Sequence, residues 1–246
     1  MMQKPRFAFP DPSTADPTGL VAITDRLDAD MVLAAYRQGI FPWSEHPVRW
    51  YSPEPRSVFL RELIRLPRRL GRVMRKQRFT VTLDRAFDEV IHACALAHLG
   101  DGVWITQGFL TAYAELHRRG YAHSVEVWQD GRLAGGLYGV QLGGLFSGES
   151  MFHHVANASK VAFAHLVGQL DTIGTVLIDC QVINENTARL GAVCLHRHDY
   201  LELLALALEA RCLYAGSIWP EVPPPPPKRS SANEEDATEL DDRPDD

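Results

Sequence analysis

At 246 residues the chain has room for one large domain or two small ones, and 46% hydrophobic with 23% charged residues is the balance of a soluble globular protein. Eight Asp or Glu against three Lys or Arg between Lys228 and Asp246 account for −5 of the net −6, so residues 1–227 are almost neutral and acidity does not exclude a nucleic-acid partner. No signal peptide and no apolar run near the ~20 residues of a membrane span is found, and Cys94, Cys180, Cys194 and Cys212 lack C-x-x-C spacing, so a cytoplasmic chain with reduced thiols and no membrane role is expected.

Residues 1–26 hold Pro5, Pro10, Pro12 and Pro17 and are expected to lack regular structure. A helix fits Ala29 to Gln38, with Asp28 as N-cap and Gly39 as the stop. The segment that follows is dense in aromatics between prolines: Phe41, Trp43, Trp50 and Tyr51 suit either core packing or a rigid recognition surface. From Arg61 to Arg78 lie eight of the 25 Lys and Arg with Glu62 as the sole acid, and within this stretch Pro67 opens a helix whose apolar side is Leu70, Val73 and Met74. A solvated face would mix signs, so this one-sided stripe favours phosphate contacts.

A strand is expected at Phe79–Val81, then helices over Asp84–Ala97 and from Thr106 to Gly120. Trp104 sits between those helices, where it either lines a pocket or fills core. Strands at Ser124–Trp128 and Arg132–Tyr138 flank an Asp130-Gly131 turn, with a third strand near Gly144–Ser147. Seven of the 18 glycines fall in this meander, which implies bends or close approach of a ligand. A helix capped by Asn157 or Ser159 runs to about Leu170. A short helix from Asn184 to Gly191, a strand at Ala192–Leu195 and a helix over Tyr200–Ala210 with Asp199 as N-cap complete the pattern.

Between those helices lies TVLIDCQ (175–181), which reads as a buried strand delivering Asp179 and Gln181 on one face. The pair suits the floor of a binding or transfer site; equally, Asp179 could cap the next turn. The whole order describes a mixed α/β sheet with a helix crossing over before a central strand, and it resembles the GNAT superfamily of acyltransferases.

Several chemistries fail on spacing. GESMF has Phe152 where a nucleophile elbow needs glycine. Cys180 follows a carboxylate that disfavours its thiolate. His153-His154 and His196-x-His198 lack zinc-site companions, so no metal is expected. HHVANASK carries no glycine turn for a coenzyme A pyrophosphate at the start of its helix.

GIFPW (39–43), WYSPEPR (50–56), WITQGF (104–109), HSVEVW (123–128), GGLYGV (135–140), LFSGESMF (145–152), NASK (157–160), LIDCQV (177–182) and N-x-x-T-x-x-x-GA (184–192) together resemble the leucyl/phenylalanyl-tRNA protein transferase family, colinearly over residues 20 to 220. The resemblance implies an aminoacyltransferase that moves Leu or Phe from Leu-tRNA or Phe-tRNA to the N-terminal Arg or Lys of acceptor proteins, marking them for N-end rule degradation without a cofactor. It implies a small N-terminal domain over 1–60, a GNAT-like domain over 61–219 and a disordered tail over 220–246. A coenzyme A-dependent N-acyltransferase and a non-enzymatic tRNA-binding protein are the alternatives. The family's Gly-Gly-Asp-Leu run is absent near ITDRL (23–27), and WPEVPPPPP replaces its Pro-Arg ending.

Carried onto matching positions, the resemblance places Asp179 and Gln181 at the reacting amine with Glu149 beside them. Trp43 and Trp104 fall at the terminal adenosine and pocket wall, and Met151, Leu137 and Leu166 line the slot for the Leu or Phe side chain. Asn157 and Ser159 join the substrate-binding set, and Arg68, Arg69, Arg72, Arg75, Lys76 and Arg78 hold the acceptor stem. The donor ester is already activated, so aminolysis needs placement, a neutral amine and removal of one proton. An ordinary aspartate titrates far below an α-amino group. Asp179 is therefore expected to orient the amine, Gln181 to fix the carboxylate or carbonyl, and the ribose 2′-hydroxyl to carry the proton. Glu149 and Asp179 are expected to meet the acceptor's positive charges, or alternatively Glu149 binds backbone amides of the neighbouring loop.

Overall fold

The computed structural model describes residues 7–45, 47–77, 79–97 and 105–210. Trp104, Arg78, Cys212 and the tail expected to be disordered lie outside them. Its centre is a seven-stranded sheet in the order β10-β4-β9-β8-β7-β6-β5, comprising β4 (Arg56–Phe59), β5 (Thr80–Leu83), β6 (Ala122–Gln129), β7 (Arg132–Leu142), β8 (Leu145–His153), β9 (Leu177–Gln181) and β10 (Val193–Leu195). Neighbouring strands run antiparallel except β8 and β9, which are parallel and joined through α5 (Ala158–Ile173). A parallel pair needs such a crossover. This is the mixed α/β arrangement expected, with β8 in the middle and β9 beside it.

Helices cover both faces. On one, α1 (Ala29–Tyr36), α3 (Phe87–Ala97), α4 (Gln107–Arg118) and α7 (Arg197–Glu209) bury Tyr36, Ile91, Phe109 and Leu204 against Tyr138 and Leu177. On the other, α2 (Leu70–Gln77) and α5 pack Leu70, Phe163 and Leu166 on Phe59, Val125 and Ile178. The remaining helix, α6 (Glu185–Arg189), starts with a capping box between Asn184 and Thr187.

Local chemistry accounts for most boundaries. The Asp28 carboxylate accepts from the Met31 N–H at 2.9 Å and caps α1 as expected. Asp130 and Gly131 both take positive φ, 51° and 73°, which is the two-residue turn that matches strand twist between β6 and β7.

Other boundaries differ because distant partners decide them. Residues 20–24, expected to be irregular, form β1 (Leu20–Thr24), which pairs with β3 (Val48–Tyr51) beside β2 (Phe41–Glu45) in a second sheet. The aromatic segment is thus strands: Trp50 and Phe41 are buried, while Trp43 is 44% exposed. β4, N-terminal to the expected boundary at residue 60, is an inner strand of the large sheet. The third strand of the meander continues past Ser147 to His153, so Glu149 and Met151 lie on β8. α7 starts at Arg197 with His196 as N-cap instead of Asp199. The Glu54 carboxylate sets that start by accepting from the Arg197 N–H at 2.8 Å.

Candidate active site

β8 and β9 pair only as far as Ser147 opposite Asp179, and β8 then continues to His153 without β9 beside it. At that point the chain turns away: Gln181 adopts φ +57°, a left-handed conformation that costs a non-glycine residue on the order of 1–3 kcal/mol. The two strands therefore splay, and a cavity of about 310 Å³ opens between Gly148–Met151 on one side and Cys180–Val182 on the other. That volume lies at the lower end of the range for small-molecule sites.

The cavity has two zones. Its interior is apolar, lined by Leu137, Met151 and Leu166 with Phe59, Phe146, Phe163 and Ile178. Its polar lining is Glu149, Asp179, Gln181, Asn184 and Asn186, and the exposed Asn184, Asn186 and Trp43, whose ring stands edge-on to Tyr51 at 5.7 Å, mark its mouth. Asn157 and Ser159 are not among the lining residues. Asn157 is the left-handed N-cap of α5 and makes no side-chain capping bond.

Glu149 bonds side chains instead of loop amides. Oε1 accepts from the Tyr36 hydroxyl at 2.6 Å and from Gln181 Nε2 at 3.3 Å, and Oε2 from the Tyr113 hydroxyl at 3.0 Å. Gln181 Nε2 also reaches Ser147 Oγ at 3.0 Å. Burial drives the Glu149 carboxyl up to about 7, with the tyrosine hydroxyls pulling it down and the Asp179 charge pushing it up. Burial, then the neighbouring Glu149 charge, keeps Tyr36 and Tyr113 protonated as donors.

Asp179 also lines the cavity, and of the two readings offered for it the turn cap is the one observed, since it accepts the Gln181 N–H. Its side chain is fully enclosed and ion-paired with Arg56, itself fully enclosed. Oδ1 accepts from Arg56 Nε and the Gln181 N–H, both at 2.9 Å; Oδ2 accepts from Arg56 Nη2 at 2.5 Å and the Tyr200 hydroxyl at 2.9 Å. With four donors on two oxygens, the carboxylate has no lone pair directed at an incoming amine. Burial is the largest single influence on Arg56 and opposes its charge, but Asp179, Tyr200 and Tyr36 together outweigh it and the guanidinium is held above its ordinary range.

Arg56, Tyr200, Tyr36 and Tyr113 were not singled out from the sequence, although Arg56 closes the WYSPEPR motif. Each reads locally as core or turn, and only the tertiary fold brings them to β9. Cys180 lines the cavity with its thiol pushed up to about 12 by burial, as its exclusion as nucleophile requires. Among the described residues the one set close enough to share a metal is His198, Asp199 and Glu202, all exposed and outside the cavity.

The basic stripe lies on the cavity's side of the sheet. Arg72, Arg75 and Lys76 are exposed on α2, with Arg68 and Arg69 exposed in the turn before it, while Leu70 anchors the helix in the layer that contains Leu166. Arg61 is ion-paired with Asp171 of α5 and so belongs to the scaffold.

The site is thus an apolar slot beside a buried carboxyl, between splayed strands of a mixed sheet. A family model described as "Leucyl/phenylalanyl-tRNA protein transferase" matches residues 58–205, and the model of that family's N-terminal domain matches residues 25–54. A leucyl/phenylalanyl-tRNA–protein transferase of Pseudomonas fluorescens is 47% identical over 213 residues, 85% of this chain and 94% of its own. One from Syntrophotalea carbinolica is 49% identical over 200 residues, 80% and 87% of the two chains. Among solved structures, a ribosomal-protein-alanine N-acetyltransferase from Brucella melitensis biovar Abortus 2308 shows a loose likeness, with 14% identity, a TM-score of 0.34 and coverage of 46% and 86%. The chain belongs to the leucyl/phenylalanyl-tRNA protein transferase family, and it is a transferase.

Proposed function

We propose that the enzyme moves Leu or Phe from aminoacyl-tRNA to the N-terminal Arg or Lys of acceptor proteins in the cytoplasm, marking them for degradation, with the donor ester as its only activated group and no cofactor. The observation that carries this reading is the two-zone cavity. Its apolar interior takes the Leu or Phe side chain against Leu137, Met151 and Leu166, with flexible Met151 adapting to both shapes. The ester carbonyl then sits at the mouth, the terminal adenosine has Trp43 to stack on, and the α2 arginines face the acceptor-stem phosphates.

Within this geometry the acceptor's α-amine attacks the ester carbonyl carbon, the amide bond forms and the ribose 3′-oxygen leaves. One proton must leave the amine. Glu149, titrating near 7, is matched to that task and stands with Gln181 in the cavity's polar lining. It accepts the proton and returns it to the leaving oxygen. The same carboxylate meets the acceptor's positive charge before the step.

The test is to mix the enzyme with labelled Phe-tRNA and a protein beginning with Arg. Label on the protein is expected, with none on a copy beginning with Gly; no label on either overturns the reading. A parallel arm with labelled acetyl-coenzyme A is expected to leave both unlabelled.

A further inference from the structure

We propose that Arg56 is a positioning residue of this site, and that Asp179 serves with it to hold the left-handed turn at Gln181 instead of contacting the substrate. The inference rests on the transfer reading above and adds what the ion pair inside the site is for.

The guanidinium is fixed on every side. It grips Asp179 through Nε and Nη2, and its Nη1 donates to the Gly39 carbonyl at 3.0 Å. Its central carbon lies 4.8 Å from the ring centre of Phe41 and 4.5 Å from that of Tyr200. Gly39 suits this place, since it has φ +74° and a Cβ there would lie 2.8 Å from both Tyr200 and Leu201 side-chain atoms. So β4, α7, the end of α1 and the cavity wall meet on one cation.

What the cation holds is a carboxylate whose Oδ1 accepts the backbone N–H of Gln181, the residue with φ +57°. A strained non-glycine turn persists only where its surroundings over-determine it. Here the bond from the Gln181 N–H to Asp179 supplies that constraint, and Arg56 fixes the orientation of the acceptor. The result is a carboxamide aimed at Ser147 and Glu149. Asp179 acts through its shape as an acceptor, since four donors from β4, α7 and its own strand occupy its two oxygens.

The oxygen and the charge of Asp179 can be separated by substitution. An asparagine in its place can still accept from the Gln181 N–H, but it leaves Arg56 as an unpaired buried cation. Replacing one member of a buried pair is far more damaging than replacing both by neutral groups. The experiment compares Asp179→Asn with the double variant Arg56→Gln, Asp179→Asn, in which the introduced glutamine amide can donate to the introduced asparagine carbonyl and to the Gly39 carbonyl. Single-turnover transfer from Phe-tRNA, Phe-tRNA affinity and thermal midpoint are measured in the full chain. The expected result is that the double variant transfers at least ~10-fold faster than Asp179→Asn, with affinity unchanged. If the double variant regains its melting temperature but stays as slow as Asp179→Asn, the carboxylate charge itself is used and the proposal is overturned.

Should the neutral pair fail to fold, Arg56→Lys replaces it, because lysine keeps the charge without the fork. Transfer slowed ~10-fold or more at near-normal Phe-tRNA affinity is then the expected result. An unchanged rate, or equal losses in both, overturns the proposal. Wild-type transfer is the control throughout: its absence would sink the function above, whereas a working wild type with an unrescued double variant sinks this inference alone.

Discussion

Asp179 and Glu149 are two carboxylates at the same end of the sheet, and their surroundings divide the work between them. Asp179 is met by a guanidinium, a tyrosine hydroxyl and a backbone amide, so its charge is fully balanced and its oxygens are occupied. Glu149 is met by two tyrosine hydroxyls and a carboxamide with no cation among its hydrogen-bond donors, and burial lifts it to about 7. A neutral donor stabilises a carboxylate less than a cation does. On the function and inference proposed above, the same functional group is a fixed anchor in one place and a proton acceptor in the other.

The sharpest way to break this division is to neutralise each carboxylate in turn. Glu149→Gln keeps the shape and removes the base, and is expected to slow single-turnover transfer ~10³-fold. Its thermal midpoint at pH 8 is expected to hold or rise, since a desolvated charge is gone. A rate within ~10-fold of wild type would end the role given to Glu149. Asp179→Asn is expected to slow transfer ~10²-fold or more with Phe-tRNA affinity nearly intact. In contrast to Glu149→Gln it should lower the melting temperature clearly, because an unpaired buried Arg56 costs on the order of 3–5 kcal/mol. Equal melting temperatures for the two variants would erase the distinction.

Smaller effects sharpen the boundary between slot and mouth. Met151→Phe narrows the apolar interior and is expected to reduce transfer of Phe relative to Leu by ~10-fold, read as the ratio of kcat/KM values. Arg72→Ala and Arg75→Ala are each expected to raise KM for Phe-tRNA a few-fold and to reduce the salt dependence of binding by about one unit of log–log slope, with kcat unchanged. A further effect is on stability against pH. Glu149 is raised above the ordinary carboxylate value, so its contribution is fully present below that value and is lost as pH rises through about 7. The melting temperature of wild type should therefore fall relative to Glu149→Gln between pH 5 and 8.

Much of the scaffold was legible because it depends on near neighbours. Asp28 caps α1, Asp130-Gly131 turns the hairpin, and the apolar period of Phe87, Val90, Ile91 and Cys94 marks α3. Of the lining residues, Leu137 and Met151 stand in the motifs GGLYGV and LFSGESMF, whereas Leu166 lies outside every quoted motif. The clamp was not, because Arg56 and Asp179 are 123 residues apart in sequence and meet only when β4 lies beside β9. Tyr36 and Tyr113 looked like core because their rings are core; only their hydroxyls belong to the site. The first strands were missed for the same reason, since β1 and β3 owe their existence to each other rather than to a local pattern.

The most direct test of the proton-acceptor role is the pH dependence of single-turnover transfer at saturating Phe-tRNA, in wild type and in Glu149→Gln. A proton acceptor at Glu149 predicts a wild-type rate that rises with pH to a plateau with its midpoint near 7, and a slow variant lacking that rise. A variant that keeps the wild-type midpoint, at whatever absolute rate, would show that another group takes the proton.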